Sequence, residues 1–184
     1  MRLRPSLLLA LLLASLLAAC GGAGAGAPNL PPLRTVERVD LNRYLGTWFE
    51  VASFPQRFQK GCTATQTNYS LNPDGDLTVR NRCNKGGLDG PVKSVEGRAR
   101  VVDKASNAKL EVSFFWPFWG DYWVIDLGPS YEFAVVGHPS RDYLWILSRT
   151  PTLPAATYDA ILARIGAQGY DLSRLQRTLQ VKAE

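Results

Sequence analysis

The sequence predicts an all-β protein, an eight-stranded up-and-down antiparallel β-barrel with one C-terminal α-helix packed outside. Three observations carry this. From Gly46 onward, short runs rich in aromatic and β-branched residues alternate with turn residues at fairly even spacing. Only one later segment has helical spacing. The 184 residues are 46% apolar and 20% charged, with seven Tyr, seven Phe and five Trp, which supplies a sizeable core for a single domain.

The strands follow in order. Gly46 to Phe54 reads GTWFEVASF, and Thr63 to Leu71 alternates Thr with polar or aromatic neighbours. Asn72-Pro-Asp-Gly75 is a turn in which Gly75 is free to take positive φ, and Asp76 to Cys83 completes the hairpin. Ser94 to Val102, Ala108 to Phe115, Tyr122 to Leu127, Tyr131 to Val136 and Tyr143 to Arg149 make the count eight. Leu153, Tyr158, Ile161, Leu162 and Ile165 then recur at intervals near three and four, with Pro154 at an early position where a helix tolerates it. That narrow apolar stripe places the helix on the outside of the sheet. A last short strand is expected within Leu175 to Val181. Eight strands can close into a barrel without exposed edges, holding one small ligand, or stack as a sandwich filled by its own side chains. Periodicity alone leaves both open.

The N-terminus is of another kind. Met1-Arg-Leu-Arg-Pro5 is basic, and Ser6 to Ala19 contains only Leu, Ala and Ser, too short to span a bilayer comfortably but the right length for a secretory leader. Leu17-Ala-Ala-Cys20 resembles the lipobox of bacterial lipoproteins, which implies a lipid-modified Cys20 after removal of residues 1–19. Gly21 to Ala27 is a Gly/Ala run, with Pro28, Pro31 and Pro32 beyond it. Residues 20–34 therefore read as a tether and 35–184 as the folded domain. Gly21 after that Cys implies, by the same resemblance, delivery to the outer membrane with a lipid anchor. Without Arg2 and Arg4, 19 Lys and Arg stand against 16 Asp and Glu. So mild a balance, with no dense basic cluster, argues against a nucleic-acid partner.

Gly46-Thr47-Trp48 opens the first strand after Asp40-Leu-Asn-Arg-Tyr44, and Arg141-Asp-Tyr143 precedes Leu-Trp-Ile-Leu-Ser-Arg149. This pair resembles the lipocalins: a G-x-W on the first strand, a D-Y element before the eighth, and an Arg at its end. Gly61 to Cys83, Glu96-Gly-Arg-Ala99 and Val112 to Phe118 extend the resemblance to about residues 37–181, nearest to the bacterial outer-membrane lipoprotein (Blc) group related to apolipoprotein D. It implies a barrel open at one end and closed at the other by Trp48 beneath Arg149, a structural pair held by a cation–π contact.

It also implies a cavity for fatty acids, lysophospholipids or similar apolar ligands, with no cofactor and no metal. Alternation along the first strand puts Glu50, Ala52 and Phe54 on the face of Trp48, while Phe49 and Val51 point outward. On the eighth, Tyr143 and Trp145 share the face of Arg149. The aromatic run Phe114 to Trp119 reads as a barrel mouth, giving Phe114, Trp116 and Trp119 as binding candidates, with Tyr122 and Phe133 beyond it. A homodimer is compatible with all of this.

Cys62 and Cys83 remain once Cys20 is lipidated. With the turn at Asn72 to Gly75, residues 62 and about 85 stand opposite, so Cys83 is near register. A disulfide is expected in an oxidising envelope compartment, the alternative being a reactive thiol pair. His138 sits in a turn, and no nucleophile elbow, metal spacing or phosphate loop is present, so no catalytic residue is assigned. The competing functions are a lipid-modifying enzyme using the cavity, and an envelope structural protein.

Overall fold

The computed structural model describes residues 30–181, so the expected leader and the expected lipidation site at Cys20 lie outside the described residues. A one-turn helix α1 (Leu41–Tyr44) leads into β1 (Gly46–Ser53). There follow β2 (Cys62–Leu71), β3 (Leu77–Lys85), β4 (Val92–Val101), β5 (Lys109–Phe115), β6 (Phe118–Leu127), β7 (Phe133–Gly137) and β8 (Leu144–Ser148). Helix α2 (Ala155–Ala167) and a two-residue strand β9 (Gln176–Arg177) are the last helix and strand among the described residues.

Each strand pairs antiparallel with the next, and β1 pairs with both β2 and β8. The sheet therefore closes into a barrel, and the sandwich is excluded. Antiparallel succession gathers α1 and the β2–β3, β4–β5 and β6–β7 turns at one end. The β1–β2, β3–β4, β5–β6 and β7–β8 connections gather at the other.

Two apolar clusters lie on opposite sides of the barrel wall. The inner one holds Trp48, Tyr69, Leu77, Val79, Ala99, Leu110, Val124, Val136 and Leu147. The outer one holds Val51, Ile125, Val135, Leu144 and Ile146 against Tyr158, Ile161 and Ile165 of α2. Strands β7 and β8 serve both clusters, and every residue of β7 is buried, alternate side chains facing the lumen and the helix.

Three of the sequence-derived lumen positions are corrected here. Between Glu50 and Ala52 the β1–β8 register slips by one residue, a bulge at Val51. An extra residue reverses the alternation beyond it, so Ala52 and Phe54 turn to the helix-facing cluster instead of the lumen. Phe133 also lies in that outer cluster, because Ala134 and Val136 of β7 take the inner positions. Leu33, expected in the tether, is buried in the same outer cluster.

The closed end is held as the motif pair implies. The Arg149 guanidinium lies 3.7 Å over the Trp48 ring. It donates to the carbonyls of Thr47 at 2.9 Å and Arg43 at 2.6 Å, while the Trp48 indole donates to the Tyr44 carbonyl at 2.8 Å. Gly46 has φ +89°, and a Cβ there would meet Arg149 Nη1 at 3.6 Å. Backbone freedom is thus required where the guanidinium crosses. Asp40 caps α1 through the Asn42 amide at 2.9 Å and is itself held by the Tyr131 hydroxyl at 2.7 Å.

Cys62 and Cys83 form a disulfide with a Cα–Cα distance of 5.4 Å. Cys62 stands directly opposite Lys85, so the bridge runs diagonally to the residue two positions earlier on the same face.

Arg149→Ala removes a cation–π contact and two charge-assisted hydrogen bonds. It is expected to cost roughly 2–3 kcal/mol, since a partly exposed cation gives less than a buried one. Urea unfolding with an unchanged m-value checks this. Replacing both Cys62 and Cys83 by Ala opens a loop of 21 residues and is expected to lower stability by about 3 kcal/mol. Melts of the variant and of the reduced parent should then coincide.

Candidate functional site

Above the Trp48 floor three tyrosines converge in the lumen. The Tyr122 hydroxyl meets that of Tyr44 at 2.8 Å and that of Tyr69 at 2.7 Å. They arrive from β6, α1 and β2, so the trio ties three elements across the barrel. Burial pushes all three phenols above their ordinary value, most strongly Tyr44 and Tyr122. Each neutral hydroxyl holds its neighbour, whereas a phenolate here would face apolar walls.

Higher in the lumen the wall changes character. Thr67 of β2 stands opposite Asn81 of β3. Thr67 Oγ1 lies close to Tyr69 but outside hydrogen-bond geometry, and both it and Asn81 Oδ1 are buried without a partner. Buried polar atoms without protein partners cost free energy unless a ligand or solvent serves them. Phe114 and Trp145 pack half-buried against the same inner cluster. Gly97 of β4 makes room for Phe114, since a Cβ there would lie 2.7 Å from the ring and 2.4 Å from the Ser113 carbonyl.

Glu50 is buried on the inner side of β1, and its carboxylate is fully engaged by neutral donors. It accepts from Ser53 at 3.0 Å, Gln59 at 2.7 Å and Thr178 at 2.5 Å. Gln59 belongs to the β1–β2 connection, and its amide oxygen accepts from the Trp145 indole at 3.0 Å. A polar chain from Thr178 through Glu50 and Gln59 to Trp145 therefore crosses the rim of the mouth. Tyr143 stacks on Trp145 with centroids 6.1 Å apart.

A cavity of about 510 Å³ opens between the β1–β2 connection and the C-terminal segment, a size typical of small-molecule sites. Most of the residues around it are polar, including Glu50, Gln59, Thr65 and Thr178 with Arg57, Lys60 and Arg177, though their stems contribute much of the wall. Of the sequence-derived pocket residues, Glu50 lines this cavity, while Phe114, Tyr122 and Trp145 face the barrel lumen. Tyr143 sits on the rim. Trp116 is exposed at the β5–β6 hairpin tip. Trp119 lies on the outer surface under the Arg100 guanidinium, at 4.3 Å, because it stands three residues from the lumen-facing Tyr122 on β6 and alternation puts it on the opposite face.

Sequence reasoning missed the tyrosine trio and the C-terminal wall. Beyond β9, which pairs with Ala52 and Ser53, the chain inserts between β1 and β2. Thr178 N–H donates to the Val51 carbonyl at 3.0 Å, and the Ala64 N–H donates to the Leu179 carbonyl at 2.6 Å. The Gln180 amide donates to the carbonyls of Glu50 and Thr65, each at 2.8 Å. Tyr69 occupies a β2 position whose alternation was readable, and Tyr44 ends the short helix α1. Their convergence with Tyr122 depends on barrel closure and was not readable.

The raised phenol values have a definite pH consequence. Their stabilisation is complete below about pH 10, where unfolded tyrosines begin to ionise, and is lost as pH rises towards the folded values. Thermal melts are expected to fall steeply above about pH 10. Tyr122→Phe, which breaks both hydroxyl contacts, should cost about 1–3 kcal/mol at pH 7 and flatten that alkaline loss.

Comparison with known proteins agrees with this geometry. The Lipocalin-like domain family matches residues 39–180. Temperature-induced lipocalin-1 of Arabidopsis thaliana is 41% identical over 157 residues, covering 80% of this chain and 83% of its own. Outer membrane lipoprotein Blc of Escherichia coli (strain K12) is 41% identical over 178 residues, 95% of each chain. Insecticyanin from the tobacco hornworm Manduca sexta superposes with a TM-score of 0.66 at 20% identity, covering 83% of this chain and 87% of its own, a likeness of fold. With its closed barrel, outer helix and Trp48–Arg149 floor, the chain belongs to the lipocalin family.

Proposed function

We propose that this lipocalin is a membrane-tethered lipid-binding protein. It stores, carries or scavenges fatty acids, lysophospholipids or similar apolar ligands in the cell envelope, and it is a carrier rather than an enzyme. Removal of residues 1–19 and lipidation of Cys20 would anchor it to the outer membrane. The lipobox motif and the similarity to a protein named as an outer membrane lipoprotein support that location.

The observation that carries the reading is the graded lumen. Half-buried Phe114 and Trp145 supply apolar wall near the mouth, while the unpartnered Thr67 and Asn81 atoms lie deeper, above the tyrosine trio. An amphiphile with a long chain meets both kinds of surface. Burial of each methylene contributes about 0.8 kcal/mol, so affinity is governed by chain length and specificity is broad.

Lipid co-purifying from membranes and identified by mass spectrometry would support this reading directly. Titration of delipidated protein with saturated fatty acids is expected to quench tryptophan fluorescence, with Kd falling about fourfold per added methylene until the lumen is filled. Trp145→Ala should weaken binding about tenfold and leave the melting temperature nearly unchanged. Trp48→Ala should cost about 3–5 kcal/mol of stability instead. Absence of bound lipid together with absence of quenching would defeat the carrier reading.

A further inference from the structure

The β5–β6 hairpin ends in a run that the fold does not use. Phe115, Trp116 and Phe118 are 74%, 85% and 76% exposed, with Pro117 between them. Phe115 and Phe118 are still paired across the hairpin beyond the register slip of β5, so the tip holds its aromatics out on a two-strand support. Turn tips ordinarily carry small polar residues, and an exposed cluster of large apolar side chains marks a surface that meets something apolar. Phe58, 69% exposed on the β1–β2 connection, stands on the same rim.

Two further observations identify the occupant. The first described residues run along this same end. The Pro31 carbonyl accepts from Arg141 Nη2 at 2.5 Å, and Arg141 belongs to the β7–β8 connection at the open end. Leu30 packs on Gly169, just past the C-terminus of α2. From Leu30 back to Cys20 is ten residues, a reach of at most roughly 35 Å when fully extended. The tether to Cys20 therefore leaves the folded domain beside the open end, and a lipid there would sit within roughly 35 Å of the mouth. The rim is also cationic, with Arg57, Lys60, Lys85, Lys93 and Arg174 against Asp89, Asp121 and Asp142, which suits anionic headgroups.

We propose that the Phe115–Phe118 hairpin tip inserts into the surface of an anionic lipid bilayer, so that the barrel mouth faces the membrane. Phe and Trp are suited to that depth, where the ring is apolar and the indole N–H remains near water. A mouth held against the membrane lets an acyl chain enter the lumen with little exposure to water. The proposal deepens the carrier reading by naming the partner surface, and it rests on that reading only for the Cys20 anchor.

The test uses the chain from residue 20 onward carrying Cys20→Ser, so that no acyl anchor contributes. Vesicles of phosphatidylcholine with 30 mole per cent phosphatidylglycerol are compared with pure phosphatidylcholine. The expected result is at least tenfold stronger partition to the anionic vesicles. Brominated acyl chains should quench Trp116, and Trp116→Ser should abolish that part of the quenching. The triple variant Phe115→Ser, Trp116→Ser, Phe118→Ser should lose partition at least tenfold while fatty-acid affinity stays within twofold.

Equal partition of parent and triple variant, or absence of brominated-lipid quenching in the parent, overturns the proposal. So does concentration-dependent dimerisation abolished by the triple variant without vesicle binding, which makes the partner a second copy. The carrier reading survives any of these if fatty acids still bind. Vesicle binding without fatty-acid binding leaves the docking surface and removes the carrier.

Discussion

Most of this structure depends on one extra residue in β1. A closed barrel needs its first strand to pair on both sides, and β1 does so only by changing allegiance along its length. Its first half pairs with β2 through Gly46 to Phe49, and its second with β8 through Phe49 to Ser53. The change occurs at Phe49, which pairs with both neighbours, and the bulge at Val51 follows within the pairing with β8. Bulges bend a strand and re-aim its side chains. This one leaves Trp48 and Glu50 inside the barrel and gives Val51, Ala52 and Phe54 to the helix. One strand can thereby supply the floor of the lumen and the seat of α2 at once.

The bulge has a consequence for the wall. Where β1 leaves β2, the gap is filled by residues 176–180. The joint is short of backbone pairing and rich in side-chain bonds, as Thr178 and Gln180 reach Glu50 and Thr65. A strand ladder is cooperative, with each pairing positioned by the last. A seam of side chains is made of separable contacts of about 1 kcal/mol each. The Glu50 side of the barrel is therefore the part of the wall with least cooperative support, and the cavity of about 510 Å³ lies there.

Strand order, the outer helix and the Cys62–Cys83 bridge were legible because they follow from local signals: alternation, turn chemistry and hairpin register. Trp48 and Arg149 were legible because two motifs at a fixed separation carry them. Ala52 and Phe54 were misplaced for one shared reason. Each follows the register slip at Val51, which no Gly or Pro marks, whereas Trp119 lies three residues from Tyr122 on an unbroken stretch of β6, so its outward face was readable from alternation. Phe133 was assigned without a face, and closure decided it. Leu33 read as tether because two prolines precede it. Its burial depends on Arg141, whose guanidinium holds the Pro31 carbonyl, a contact across 110 residues that no local pattern records.

The two ends of the barrel follow opposite physical logic. At the floor, Trp48 is fully buried beneath a guanidinium whose donors are satisfied by backbone carbonyls, and the phenols of the trio satisfy one another. Little there is left for a ligand to complete. Towards the mouth, Thr67 and Asn81 have atoms without partners, Trp145 is bound to the side chain of a connecting segment, and large aromatics lie in solvent. Incomplete satisfaction would be a defect in a core, where each such group costs about 1–3 kcal/mol. Concentrated above a fully satisfied floor, it marks the place where another molecule completes the packing, and stability resides in the half of the barrel that has no need of one.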